Sequence, residues 1–160
     1  MRTLNQWFDE YAVSHQNPKN KAIHYLCVPA IFFSIIGLLM SIPSLFLSNI
    51  FSFNMPILEN WAVVFLLFAL VFYIRLSVVM AIKIALFSVF CLLLNYYVST
   101  LIPLWIFSLI IFAIAWIGQF YGHQIEGKKP SFLKDLQFLL IGPAWVLDNL
   151  FTNKNHNKTL

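Results

Sequence analysis

Charge is scarce in this chain: only 10% of its 160 residues are Asp, Glu, Lys or Arg, while 61% are apolar. Soluble domains carry about a quarter charged residues, so an ordinary soluble fold is excluded. Alternation of apolar and polar residues is also missing, which excludes a β-barrel and leaves α-helical spans as the way to satisfy the backbone in lipid. There are just two cysteines, Cys27 and Cys91, each inside an apolar run. They read as small buried hydrophobes, with no function assigned, and rule out a Cys-rich zinc site. No Gly-rich phosphate loop, nucleophile elbow or zinc-protease helix motif is present. No small-residue cleavage site follows the first apolar run, so no cleavable signal peptide is expected. The net charge of +4 would suit nucleic acid. Here, however, the basic residues flank apolar runs instead of gathering with aromatic readers, so no nucleic-acid partner is expected.

What the chain does have is a succession of apolar segments. Leu4, Trp7, Phe8, Tyr11 and Ala12 follow the spacing of a helix with one apolar face, so Thr3 to His15 is expected to form a short interfacial helix. The run Ser14 to Asn20 then supplies a stop and a restart, with Asn17 as N-cap and Pro18 in the first helical turn. Four spans are expected: Ala22 to Leu47, with Pro29 and Pro43 as kinks; Ile57 to Ile74; Val79 to Val98, with Lys83 snorkelling to the headgroups; and Leu101 or Pro103 to Tyr121. Each is near the ~20 residues that a ~30 Å hydrocarbon core requires. Phe132 to Phe151 is apolar but interrupted by Lys134, Asp135, Gly142, Pro143 and Asp148, and predicts a re-entrant or interfacial pair of helical turns hinged at Gly142 and Pro143. The fold class is therefore an all-α multi-pass membrane bundle, with residues 1–151 as one membrane domain and 152–160 as a disordered polar tail.

All ten basic residues fall on one side of this topology: Arg2, Lys19 and Lys21 before the first span, Arg75 and Lys83 between the second and third, and the rest after the fourth. The two opposite loops carry no basic residue, so the positive-inside rule places both termini in the cytoplasm. His15, His24 and His123 then share one cytoplasmic membrane face.

Those three histidines are the candidates for chemistry. In one unbroken helix His15 and His24 would point to opposite faces, and a break at Pro18 is what lets them converge. His123 and Glu126 stand three apart, on one face if the fourth helix continues past the bilayer, with Gln119 one turn before His123. Neutral imidazoles with a carboxylate or water suit a catalytic iron with open coordination positions, and zinc or manganese would fit as well. The alternatives are plain: the histidines as solvated interfacial residues, Glu126 paired with Lys128 or Lys129, and Asn17 and Asn20 as cap and turn residues. His156, in the polar tail, is uninvolved.

The segments H-Q-N-P-x-N-x-x-x-H, from His15 to His24, and W-x-x-Q-F-x-G-H-x-x-E-G-x-x-P, from Trp116 to Pro130, followed by Gly142 and Pro143, resemble the small membrane family of 2-hydroxy fatty acid dioxygenases of fatty acid α-oxidation. The resemblance covers essentially the whole chain, its specificity residing in the histidine-bearing segments. It implies an Fe(II)-dependent enzyme that uses O₂ to shorten a long-chain 2-hydroxy fatty acid by one carbon, as in sphingoid-base breakdown. The setting it implies is a bacterial inner membrane or the endoplasmic reticulum. It further implies His15, His24 and His123 as iron ligands and Glu126 as a ligand or a base beside them. Gln119, Lys128 and Lys129 are then substrate contacts, the lysines steering the carboxylate to the membrane face. The competing reading is a non-enzymatic membrane protein that binds lipid or a partner subunit. No residue pattern sets an oligomeric state.

Overall fold

The computed structural model describes residues 2–51, 55–127 and 132–151. Among them are seven α-helices and no strand: α1 (Leu4–Ala12), α2 (Pro18–Met40), α3 (Leu45–Phe51), α4 (Trp61–Leu76), α5 (Val78–Ser99), α6 (Leu104–Glu126) and α7 (Phe132–Phe151). The helices α2, α5 and α6 are long and apolar enough to cross a membrane, and α4 is a shorter apolar helix. The architecture is the expected all-helical membrane bundle. Lys128, Lys129 and the tail from 152 onward lie outside the described residues.

Local chemistry sets the helix boundaries. Thr3 Oγ1 accepts from the Gln6 amide at 3.3 Å while Gln6 Oε1 accepts from the Thr3 amide at 2.9 Å, a reciprocal cap that starts α1. Asn17 Oδ1 accepts from the Lys19 amide at 2.9 Å and Pro18 occupies the first turn of α2, as the sequence predicts. The fourth expected span runs on without a break to Glu126, where Gly127 closes α6 at φ 70°, a left-handed conformation that glycine adopts without a Cβ clash.

Four expectations need correction. The first span ends at Met40, not Leu47, because Pro43 has no backbone N–H to donate and disfavours helical geometry at the residue before it; Leu45–Phe51 is a separate helix. The second begins at Trp61, not Ile57, where Asn60 Oδ1 accepts from the Val63 amide at 3.2 Å. Lys83 does not simply snorkel: its ammonium pairs with Asp148 at 3.2 Å. The segment Phe132–Phe151 is one helix with Pro143 inside it, not two hinged turns. Proline removes one backbone hydrogen bond there, and tertiary contacts offset the loss. The Tyr73 hydroxyl donates to the Leu140 carbonyl, and Ile141, Ala144 and Val146 are buried against the bundle.

The hub is α2, which packs on α4, α5, α6 and α7, most extensively on α6. These two helices run antiparallel: Gly122 lies against Asn20, Gly118 against Cys27, and Ser108 against Gly37. Lipid tails are as apolar as a helix surface, so association in a membrane rests on close packing rather than on hydrophobic burial. Glycine lets these helices approach, since a Cβ at Gly118 would lie 2.7 Å from Cys27 Sγ. The approach brings the start of α2 beside the end of α6, and that junction positions the site.

Candidate metal centre

His15, His24 and His123 come from three different stretches and meet at this junction. His15 sits in the turn between α1 and α2, His24 lies on the second turn of α2, and His123 lies on the last turn of α6. Their ring centroids are 4.3 Å apart for His15 and His24, 5.0 Å for His24 and His123, and 5.5 Å for His15 and His123. All three are buried, and one candidate ligand atom from each lies within 4.8 Å of the others. The break between Ala12 and Pro18 does what the spacing required, turning His15 back over His24.

Each of the first two imidazoles is held by a carbonyl. His15 Nδ1 is 2.6 Å from the Tyr11 carbonyl oxygen, and His24 Nδ1 is 3.0 Å from that of Asn20. A carbonyl oxygen can only accept, so each Nδ1 carries the proton and each Nε2 presents its lone pair. His15 Nε2 is buried and, among the described residues, has no hydrogen-bond partner. Burial is the main reason the His15 imidazole is held down at about 4; the Tyr11 carbonyl pulls the other way, and a charge on His123 lowers it further. At neutral pH it is therefore an uncharged nitrogen donor. Buried, neutral and oriented by its second nitrogen, this donor set fits a divalent transition-metal ion, and three imidazoles leave coordination positions open.

Glu126 is at the junction, but its carboxylate faces the α1–α2 turn. Oε1 accepts from the Gln16 amide at 2.8 Å, and Oε2 accepts from the Asn17 amide at 2.9 Å and from Asn20 Nδ2 at 3.0 Å. The last residue of α6 thus ties down the turn that carries His15. Asn20, read from the sequence as a turn residue, is a fully buried member of α2 that also donates to the Ser14 carbonyl at 3.2 Å. The available signal was its position four residues before His24, on the same helix face.

The aromatic shell was not legible. Tyr11 stacks on His15 with centroids 4.1 Å apart and planes 11° from parallel, and Trp145 of α7 lies 5.2 Å from Tyr11. The histidines open onto a pocket bounded by α2, α6 and α7. Gln119 and Trp116 line it from α6, and Trp116 Nε1 is buried with no hydrogen-bond partner among the described residues. Trp116, Gln119 and His123 share one face of α6 at spacings of three and four. Gln119 was singled out by that spacing; Trp116 could have been found the same way.

No curated protein and no solved structure matches this chain. A family match extends over residues 1–154, to the family described as 2-hydroxy-palmitic acid dioxygenase Mpo1-like. That match takes in both histidine segments, all seven helices and nearly the full length, and the chain belongs to the Mpo1-like family.

Proposed function

We propose that the protein is an Fe(II)-dependent dioxygenase that shortens long-chain 2-hydroxy fatty acids by one carbon at the cytoplasmic face of a membrane. The observation that carries this reading is the cluster of three buried imidazoles, two of them fixed as Nε2 donors by carbonyl contacts, at one end of a largely apolar pocket. The family description and the ten basic residues that the topology puts at one end of the spans agree with it.

The overall reaction balances without a co-substrate: R-CH(OH)-COOH and O₂ give R-COOH, CO₂ and H₂O, with four electrons passing from the acid to oxygen. Iron held by His15, His24 and His123 would supply the redox chemistry that O₂ requires and a Lewis acid for the substrate oxygens. The protein's own groups do the rest. The Tyr11 and Asn20 carbonyls keep His15 and His24 in the donating tautomer, and Glu126 holds the turn bearing His15 against α6. In this reading Glu126 is a positioning residue, not a ligand. Gln119 and the unpartnered Trp116 indole N–H face the pocket as donors for the carboxylate and hydroxyl oxygens of the acid. Tyr11 and Trp145 cover His15 and exclude water from its face.

The test is anaerobic loading of the purified protein with Fe(II), then addition of O₂ with 2-hydroxypalmitate. The expected result is the acid one carbon shorter, with one CO₂ per O₂ consumed, and loss of both iron and turnover in His123→Ala. A lipid-binding protein without activity is the outcome if no metal and no chain length gives product while the fatty acid still binds.

A further inference from the structure

The pocket does not end at the histidines. Along α2 the residues facing it are His24, Val28, Ile31 and Phe32, at offsets of four, seven and eight, which is one stripe of the helix. From His24 to Phe32 the stripe descends about 12 Å at the helical rise, the length of roughly nine methylene groups. On the antiparallel α6 the lining runs from His123 to Trp116, at the level of Val28, and among the described residues no charged one lines this inner part. Both α6 and α7 lean on α2 yet, among the described residues, share almost no contact with each other, so the pocket occupies the gap between them. Because α2 and α6 are long apolar helices of membrane-spanning length, a gap at this depth faces hydrocarbon rather than water.

Resting on the substrate reading above, we propose that this slot is an acyl-chain subsite entered sideways from the bilayer between α6 and α7, and that Phe32 closes its inner end and so selects chain length. Phe32 is suited to that task. It is 4% exposed, stacks on Phe87 with centroids 5.4 Å apart, and belongs to a packed cluster with Ile36, Leu66 and Cys91, so it is a fixed wall. Ile31 forms the side of the slot beside it. A hydrocarbon chain is the occupant that such a lining accepts: apolar on α2, and polar only where the histidines, Gln119 and the Trp116 indole N–H face the head of the acid.

The experiment uses the full chain in lipid nanodiscs and a series of saturated 2-hydroxy acids from octanoic to eicosanoic. Affinity is measured on the metal-free protein by displacement of a fluorescent fatty acid, and kcat/KM on the iron-loaded protein. Phe32→Ala is expected to move the optimum to longer acids, changing the long-to-short preference about tenfold, since a few methylenes in an apolar pocket discriminate on that scale. Ile31→Phe fills the slot and is expected to move the optimum to shorter acids by a similar factor. Both variants should hold the same amount of metal as the parent, which reports that they are folded; Phe32→Leu replaces Phe32→Ala if the latter is not recovered. A parent protein that neither binds nor converts any acid of the series overturns the functional reading. An active parent whose chain-length profile is unchanged by both substitutions overturns the acyl subsite and leaves the activity standing.

Discussion

Replacing Glu126 by Ala separates a clasp from a ligand. The substitution removes the acceptor for three donors: the Gln16 amide, the Asn17 amide and Asn20 Nδ2. Gln16 is exposed and Asn17 half-buried, so water can replace the carboxylate at those amides for little cost. Asn20 is fully buried and keeps its bond to the Ser14 carbonyl, but its second amide hydrogen loses its acceptor, at a cost of about 1–2 kcal/mol. The carboxylate also lies at the start of α2, where a negative charge against the helix dipole contributes a further few tenths of a kcal/mol. The sum is about 2 kcal/mol. Falling wholly on the placement of His15, it weakens metal affinity about 30-fold, inside the range found when groups that orient metal ligands are lost. Stoichiometry stays at one ion per chain. Glu126→Gln keeps one oxygen acceptor and is expected to fall between the parent and the alanine variant. The assay is chelator competition with Co(II), whose absorption bands report the ligand set and whose titration gives the affinity. Unchanged affinity in Glu126→Ala would refute the clasp. Loss of the ion with altered Co(II) bands in Glu126→Gln would make Glu126 a ligand after all.

Three further outcomes follow from the same geometry. A Cβ at Gly122 would overlap Asn20 Oδ1 and stand 3.3 Å from His24 Cε1, so Gly122→Ala is expected to part α2 from α6 at the site. It should cost metal binding more than tenfold while leaving helix content by circular dichroism unchanged; parental affinity in this variant would contradict the packing. Trp116→Phe keeps the ring and deletes the N–H, and is expected to raise KM for the 2-hydroxy acid several-fold with metal content unaltered, whereas an unchanged KM would remove Trp116 from substrate binding. In the metal-free protein His15 is held at about 4 against 6.5 when unfolded, so between these values the unfolded chain binds a proton that the folded chain refuses. Stability should then be full above about pH 6.5 and decline by roughly 3 kcal/mol as the pH falls to about 4, a drop that thermal melting across pH would detect and a flat profile would deny.

Helix class was legible because lipid imposes it: a chain 61% apolar with continuous runs has few ways to satisfy its backbone. Local caps were legible for a related reason, since Asn17 and Pro18 act within one turn of themselves. Legibility ended where a residue's role depends on another helix. Lys83 reads as a snorkelling cation until Asp148, 65 residues away, is brought within 3.2 Å of it. The Gly142-Pro143 pair reads as a hinge, and only the Tyr73 hydroxyl and the burial of its neighbours show why the helix runs through it.

The same division explains the site. That His15 and His24 could converge followed from the break at Pro18, because a chain reversal is a local event. That Glu126 would turn to that break, rather than inward with His123, depends on the antiparallel register of α2 on α6, which puts the end of one helix at the start of the other. Spacing along α6 alone gives His123 and Glu126 one shared face and therefore suggests one shared task. In three dimensions a carboxylate at the end of α6 is disfavoured by its own helix dipole and stabilised by the amides at the start of α2. That stabilisation pairs Glu126 with the loop and leaves the ring nitrogens of His15, His24 and His123 as the group that faces the pocket.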